Sequence, residues 1–144
     1  MNKQSYQERR LNRFRDLHRG ERMVLVCNGP SLNQTDFTMI RREISMGLNK
    51  IYLGFKKYHF YPRYYTAINA SVIEQSADEI QRLACIRFLR DLGSNNRVPE
   101  SALTYLLHSD PRQQFHQDLS KGFFEGYTVT FAALQIAFLW AFLM

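Results

Sequence analysis

Apolar positions along this chain fall into short dense runs separated by polar, glycine- or proline-bearing stretches, and the run lengths set the elements to expect. Met23-Val24-Leu25-Val26-Cys27 is a compact run of the kind that forms a buried parallel strand. The loop Asn28-Gly29-Pro30-Ser31 follows at once. Thr35 or Asp36 then offers an N-cap for a short helix through Phe37, Ile40 and Arg41. Gly47 reads as the end of that unit, with a second strand over 48–55, and Pro62 breaks the chain before a third apolar run, 64–69. Residues 71–83 set Val72, Ile73, Ile80 and Leu83 among Glu, Gln and Asp, which suits an amphipathic helix. Residues 85–89 read as a fourth strand, 91–101 as a loop and 102–107 as a short fifth strand. The final stretch, 127–144, is apolar nearly all round, broken only by Thr128, Thr130 and Gln135. A membrane span needs about 20 apolar residues, so a helix buried between layers is the favoured reading. Such a helix needs cover on several sides, and the chain reads as cut off after it. Strand–helix alternation predicts an α/β fold: a Rossmann-like, mainly parallel sheet with flanking helices.

Composition adds limits. With 144 residues, 45% hydrophobic and 22% charged, the chain suits one folded domain with a real core rather than disorder. Cys27 and Cys85 are too few for a disulfide framework, and no CxxC or Cys/His cluster suggests a metal. Reduced thiols and a polar start without a secretion signal point to the cytoplasm. The net charge of +6 is concentrated at the N-terminus, where residues 1–22 hold seven Lys/Arg against three Asp/Glu. Residues 1–20 are therefore set apart as a basic helical segment from the main domain, 21–144. Leu11, Phe14 and Leu17 recur there at three-residue spacing, enough for a narrow apolar stripe. The segment reads either as a helix docking peripherally on anionic lipid at the inner membrane face, or as a solvated helix packed on the core by that stripe. The second is favoured.

The chemistry concentrates at strand ends. In open α/β sheets ligands bind beyond the carboxyl ends of the strands. The loop after the first strand offers Asn28 as donor and acceptor, Gly29 for close backbone approach, Pro30 for stiffness and a Ser31 hydroxyl at a helix start. It has neither the GxGxxG of dinucleotide sites nor the P-loop pattern, and a tight structural turn fits it equally well. Asn49 and Asn69 stand at the ends of the second and third runs, Asn49 at the beginning of its strand. Asparagine is a poor strand residue, so each is either a ligand contact or a turn residue. Tyr127 and Thr128 open the apolar helix, where free N–H groups suit a phosphate and a Thr cap competes as an explanation.

Together NGPSL, NKIYLGF, a third strand ending near Asn, and EGYTVTFAALQIAF resemble the bacterial sialyltransferases of glycosyltransferase family 42. They resemble still more the related domains of unknown function 115, which include flagellin-modifying motif-accessory-factor proteins and archaeal 6-hydroxymethylpterin diphosphokinase. The resemblance spans about residues 20–142. It implies that Asn28, Asn49 and Asn69 hold the CMP part of a CMP-sialic-acid-type donor, with Gly29, Pro30 and Ser31 completing the loop. Tyr127-Thr128 falls where the family places a small hydroxyl residue near the nucleotide, and Tyr127 departs from that pattern. The implied reaction is metal-independent sugar transfer to a glycan or protein acceptor, with the nucleotide sugar as substrate and no cofactor. The lack of any two acidic residues spaced two apart is consistent with this. The family continues into a region bearing its catalytic histidine and tyrosines, which has no counterpart in this sequence. His59, His108 and His116 match no family position and read as ordinary surface or loop residues.

Three other readings stand beside this one. A nucleotide-binding module without turnover follows from the missing C-terminal region. A diphosphokinase-like ATP enzyme would need Mg²⁺ held by carboxylates, and Asp36, Asp110, Asp118 and Glu125 show no ligand spacing. The aromatic and basic stretch 56–65 raises nucleic acid, but core aromatics with solvated lysines account for it better, and no nucleic-acid partner is expected. A half-finished sheet would expose an edge strand and the last helix, which predicts self-association.

Overall fold

The structure, a computed structural model, describes residues 3–140. Five strands, β1 (Met23–Val26), β2 (Ile44–Leu48), β3 (Tyr64–Ala67), β4 (Ile86–Arg90) and β5 (Thr104–Leu107), form one sheet in the order β1-β2-β3-β4-β5. Every neighbouring pair is parallel, with Met46 opposite Tyr64, Thr66 opposite Phe88 and Phe88 opposite Tyr105. This is the expected α/β, Rossmann-like architecture.

Because parallel crossovers are right-handed, an unreversed strand order puts all four connections on one face. That face carries Phe37, Ile51, Phe60, Ile73, Ala77, Ile80 and Val98 from the connections against Tyr65, Ala67, Leu89 and Leu106 of the sheet. The helices α2 (Phe55–Tyr58), α3 (Ala70–Gln75) and α4 (Ala77–Arg82) lie in these connections. The other face is left to the two ends of the chain, α1 (Lys3–Asn12) and α5 (Val129–Leu139). Leu11, Phe14, Ala132, Ala133, Ile136 and Trp140 pack there on Met46, Leu48, Tyr64, Phe88, Tyr105 and Leu107. Phe14, Tyr64, Phe88 and Trp140 form an aromatic cluster, with Tyr64 and Trp140 ring centroids 4.3 Å apart.

Several elements differ from expectation. The second strand ends where it was expected to begin: Ile44, Met46 and Leu48 alternate into one core, and residues 49–54 turn in 3₁₀ geometry before α2. Gly47 lies inside this strand because a Cβ there would come 2.7 Å from Ile51 Cγ2 and 3.0 Å from Pro62 Cγ. The helix expected over 71–83 is two short helices, parted at Ser76 (φ −117°, ψ 22°). Asp36 is the N-cap ahead of Phe37, accepting from Thr38 N at 2.9 Å. In the N-terminal stripe Leu11 and Phe14 are buried while Leu17 is exposed.

The basic segment is tied into the fold. Arg10 is buried, bonds to Glu100 at 3.2 Å, donates to the Ser101 and Thr104 carbonyls, and lies over the Tyr105 ring at 4.2 Å. Arg15, Arg19 and Arg22 pair with Asp118, Asp16 and Glu43. The apolar last segment is α5 up to Leu139, and residues 141–144 lie outside the described residues. No helix among the described residues is long and apolar enough to cross a membrane.

Candidate functional site

The connection after β3 leaves towards one face of the sheet, while the 108–128 segment after β5 returns over the other to start α5. Elements parting in this way leave a crevice at the carboxyl ends of the strands. A cleft of about 850 Å³ occupies that position, within the size range of small-molecule sites. Its lining comes from the ends of β2, β3, β4 and β5 and from the turn into α5.

Asn49, Asn69, Tyr127 and Thr128 all line this cleft. Asn49 immediately follows β2 in the left-handed region (φ 49°), which Asn tolerates better than most residues. Its Oδ1 is buried without a hydrogen-bond partner, a cost a ligand donor would relieve. Asn69 caps α3, accepting from Val72 N at 3.2 Å. Thr128 caps α5, accepting from Phe131 N at 3.2 Å. Both caps therefore also face the cleft, and the N–H groups of Val129 and Thr130 in the first turn of α5 precede any intrahelical bond. Tyr127 is 89% exposed at the cleft wall, its ring edge-on to Phe124.

The loop after β1 sits differently. Asn28, Gly29, Pro30 and Ser31 are not part of the cleft lining. Asn28 Nδ2 donates to Leu48 O at 3.1 Å, one residue from Asn49, and Cys27 Sγ lies 3.9 Å from Thr130 Oγ1. The loop thus braces the cleft's neighbours. Ser31 starts no α-helix; it lies in a 3₁₀ turn, Pro30–Gln34.

No protein-family model, curated protein or solved structure matches this chain.

Arg90 and Ser109 also line the cleft without having been singled out from the sequence, as does Asp110, considered there only as a carboxylate without ligand spacing. Glu125, considered only as a carboxylate without ligand spacing, joins them. Ser109 Oγ donates to Glu125 Oε1 at 2.6 Å, and Arg90 Nε is 3.0 Å from the same oxygen. Asp110 pairs with Arg112, whose guanidinium holds its carboxyl well below the usual carboxylate range. Among the described residues no group of three His, Cys, Asp or Glu is placed to hold a metal ion.

The 108–128 wall is held by Gln135, a wholly buried side chain on α5. Its Oε1 accepts from His116 N (3.1 Å) and Phe124 N (3.2 Å), and its Nε2 donates to Phe124 O (2.7 Å). A buried amide with these partners satisfied fixes the wall relative to the helix.

Proposed function

We propose that the cleft binds a nucleotide sugar, with a CMP-linked sialic-acid-type donor favoured, as the donor site of a glycosyltransferase-like domain. The observation that carries this reading is convergence. Asn49, Asn69 and Thr128 lie in three separate segments of the chain, fall where the resemblance sets nucleotide contacts, and line one cleft at the carboxyl edge of a parallel sheet, while the Asn28–Ser31 loop lies outside its lining. Asn49 Oδ1 supplies an open acceptor, the first turn of α5 supplies N–H groups for a phosphate, and Tyr127 supplies an exposed ring for a base or sugar. Asn28 acts from behind, holding the end of β2 that carries Asn49. The acceptor is a glycan or protein, and the setting the cytoplasm.

A second reading, a nucleotide-binding module without turnover, is favoured by one observation. None of His18, His59, His108 and His116 is part of the cleft lining, so no imidazole base stands at the site among the described residues.

The deciding experiment is calorimetric titration with CMP, CDP, UDP, GDP and ATP, each with and without Mg²⁺. Metal-independent CMP binding that is lost in Asn49→Ala supports the reading. Folded protein that binds no nucleotide would sink it. Transfer from a CMP-linked sugar then separates enzyme from module. Self-association through the outer edge of β1, which has no partner strand among the described residues, is expected in size-exclusion chromatography. A monodisperse monomer would contradict that.

A further inference from the structure

The layer that holds α2, α3 and α4 is split by charge. Residues 36–63, which lead from the β1–β2 connection to the start of β3, hold six Lys/Arg against two acidic residues, whereas residues 64–144 hold six against eight. Arg41, Arg42, Lys50, Lys56, Lys57 and Arg63 are all exposed. None of the six forms a salt bridge with a carboxylate among the described residues. Both acids are engaged elsewhere, Asp36 in capping at Thr38 and Glu43 with Arg22. The N-terminal segment differs, because Arg10, Arg15 and Arg19 there pair with carboxylates.

The same segment exposes apolar side chains. Met39, Leu53 and Tyr61 are 79%, 74% and 66% exposed, and of the large hydrophobic residues described only Tyr127 is more so. The two connections that carry them form one surface. Phe37 packs against the rings of Tyr58 and Phe60, with centroids 4.8 and 4.9 Å away, and Asn33 Oδ1 accepts from both Lys57 and Tyr58. Phe37, Ile51 and Phe60 are packed inward on the sheet, which leaves Met39, Leu53 and the lysines on the outer side of the layer.

This combination narrows the partner. Phe60, Tyr64 and Tyr65 are buried, so the aromatic stretch 55–65 offers Tyr61 alone as an exposed ring and no platform for successive bases. Cations by themselves would suit any polyanion, but exposed Met39 and Leu53 add nothing to the grip on a nucleic acid or an acidic peptide. A bilayer uses both, taking the apolar side chains into its acyl boundary while anionic headgroups meet the cations.

We propose that residues 36–63 form a peripheral docking face for a bilayer that carries anionic phospholipid, with Met39, Leu53 and Tyr61 inserted and the surrounding Lys and Arg residues on the headgroups. It stands independently of the nucleotide reading of the cleft.

The test is co-sedimentation of the full chain with vesicles of phosphatidylcholine alone and of phosphatidylcholine with about 30% phosphatidylserine. Wild type is expected to bind the anionic vesicles at least about tenfold more tightly, and to lose most of that binding as salt is raised. Met39→Ser combined with Leu53→Ser, at exposed positions where the urea midpoint should hold, is expected to weaken binding about 10- to 100-fold. Lys50→Glu combined with Lys56→Glu is expected to do the same, and Arg13→Glu in the N-terminal segment to change it by less than about threefold. The emission of Leu53→Trp should shift to the blue on anionic vesicles, and that of Leu103→Trp, at the start of β5, should not. Wild type that ignores anionic vesicles overturns the proposal, and so does full binding by the Met39 and Leu53 double variant. Loss in Arg13→Glu with binding kept in the Lys50 and Lys56 double variant overturns it by moving the contact to the N-terminal segment. A chain that binds a single-stranded oligonucleotide and no vesicle overturns it in favour of nucleic acid.

Discussion

Two turns stand at the carboxyl edge of the sheet, one leaving β1 and one entering α5, and their backbones differ. At Gly29 φ is −146°, ordinary extended backbone, and an added Cβ would meet only Ser31 Oγ, at 3.6 Å. At Gly126 φ is +61°, and a Cβ would lie 2.2 Å from Phe131 Cδ1. Tyr127 follows it in the same left-handed region (φ 63°), where a bulky side chain is a true outlier. The first turn could be built from many sequences; the second demands glycine and holds an exposed aromatic residue in strain. Strain of that kind persists where the surroundings over-determine it, and it gathers at ligand sites. A glycine's neighbours therefore say more about its role than the motif in which it sits.

The largest expected contrast is in stability. Gly126→Ala combines a steric clash with a left-handed alanine and should cost about 3 kcal/mol. Gly29→Ala should stay within about 0.5 kcal/mol. Urea denaturation of the two variants checks this, and equal losses would erase the distinction between the turns. Next, Tyr127→Gly should relieve the backbone and raise stability by about 1 kcal/mol, while nucleotide affinity falls about tenfold through loss of the ring. A variant that gains stability and keeps its affinity would leave the second turn strained but idle.

A smaller effect concerns acid. Arg112 lowers the folded-state pKa of Asp110, so its contribution to stability is present above the unfolded carboxylate pKa of about 4 and is lost as pH falls through the lower folded value. Asp110→Asn should flatten the acid limb of the urea midpoint measured between neutral and acid pH. An unchanged limb would mean the cleft wall is indifferent to that pair. The smallest effect probes the first turn through its thiol. Cys27 is exposed, whereas burial pushes the Cys85 thiol up to about 11. Alkylation near pH 8 should reach Cys27 in the folded chain and Cys85 only after unfolding. Saturating nucleotide should change the Cys27 rate by less than about twofold, because the first turn lies outside the cleft lining. Strong protection would bring that turn back into contact with the ligand.

Four of the strands could be read from compact apolar runs, and Asn69 falls close to the end of its strand as expected, whereas Asn49, expected to open the second strand, follows it. The second strand was misplaced because its signal is an alternation, Ile44, Met46 and Leu48 with Ser45 and Gly47 between, beside the denser run Ile51-Tyr52-Leu53. Density outweighs period there, and Gly47 reads as punctuation in the sequence because its reason, Ile51 and Pro62 pressing on the strand, is tertiary. The same holds for the cleft. Thr128 and Asn69 carry local signals as caps, but Arg90, Ser109 and Glu125 meet from the ends of two strands and a loop, and no spacing along the chain records that.

The contacts at the far end of α5 bear on where this domain can be cut. Asp16 N donates to Leu139 O at 3.1 Å and His18 N to Trp140 O at 3.0 Å, so the stretch after α1 closes carbonyls at the end of the helix whose start forms the cleft wall. The basic N-terminal segment is thus a strut rather than a tail. A protease nick after Gly20 would release the helix at one end, and Gln135 would carry the slack along it to the wall at His116 and Phe124. An expression boundary drawn at that glycine would trim away part of the scaffold that shapes the site.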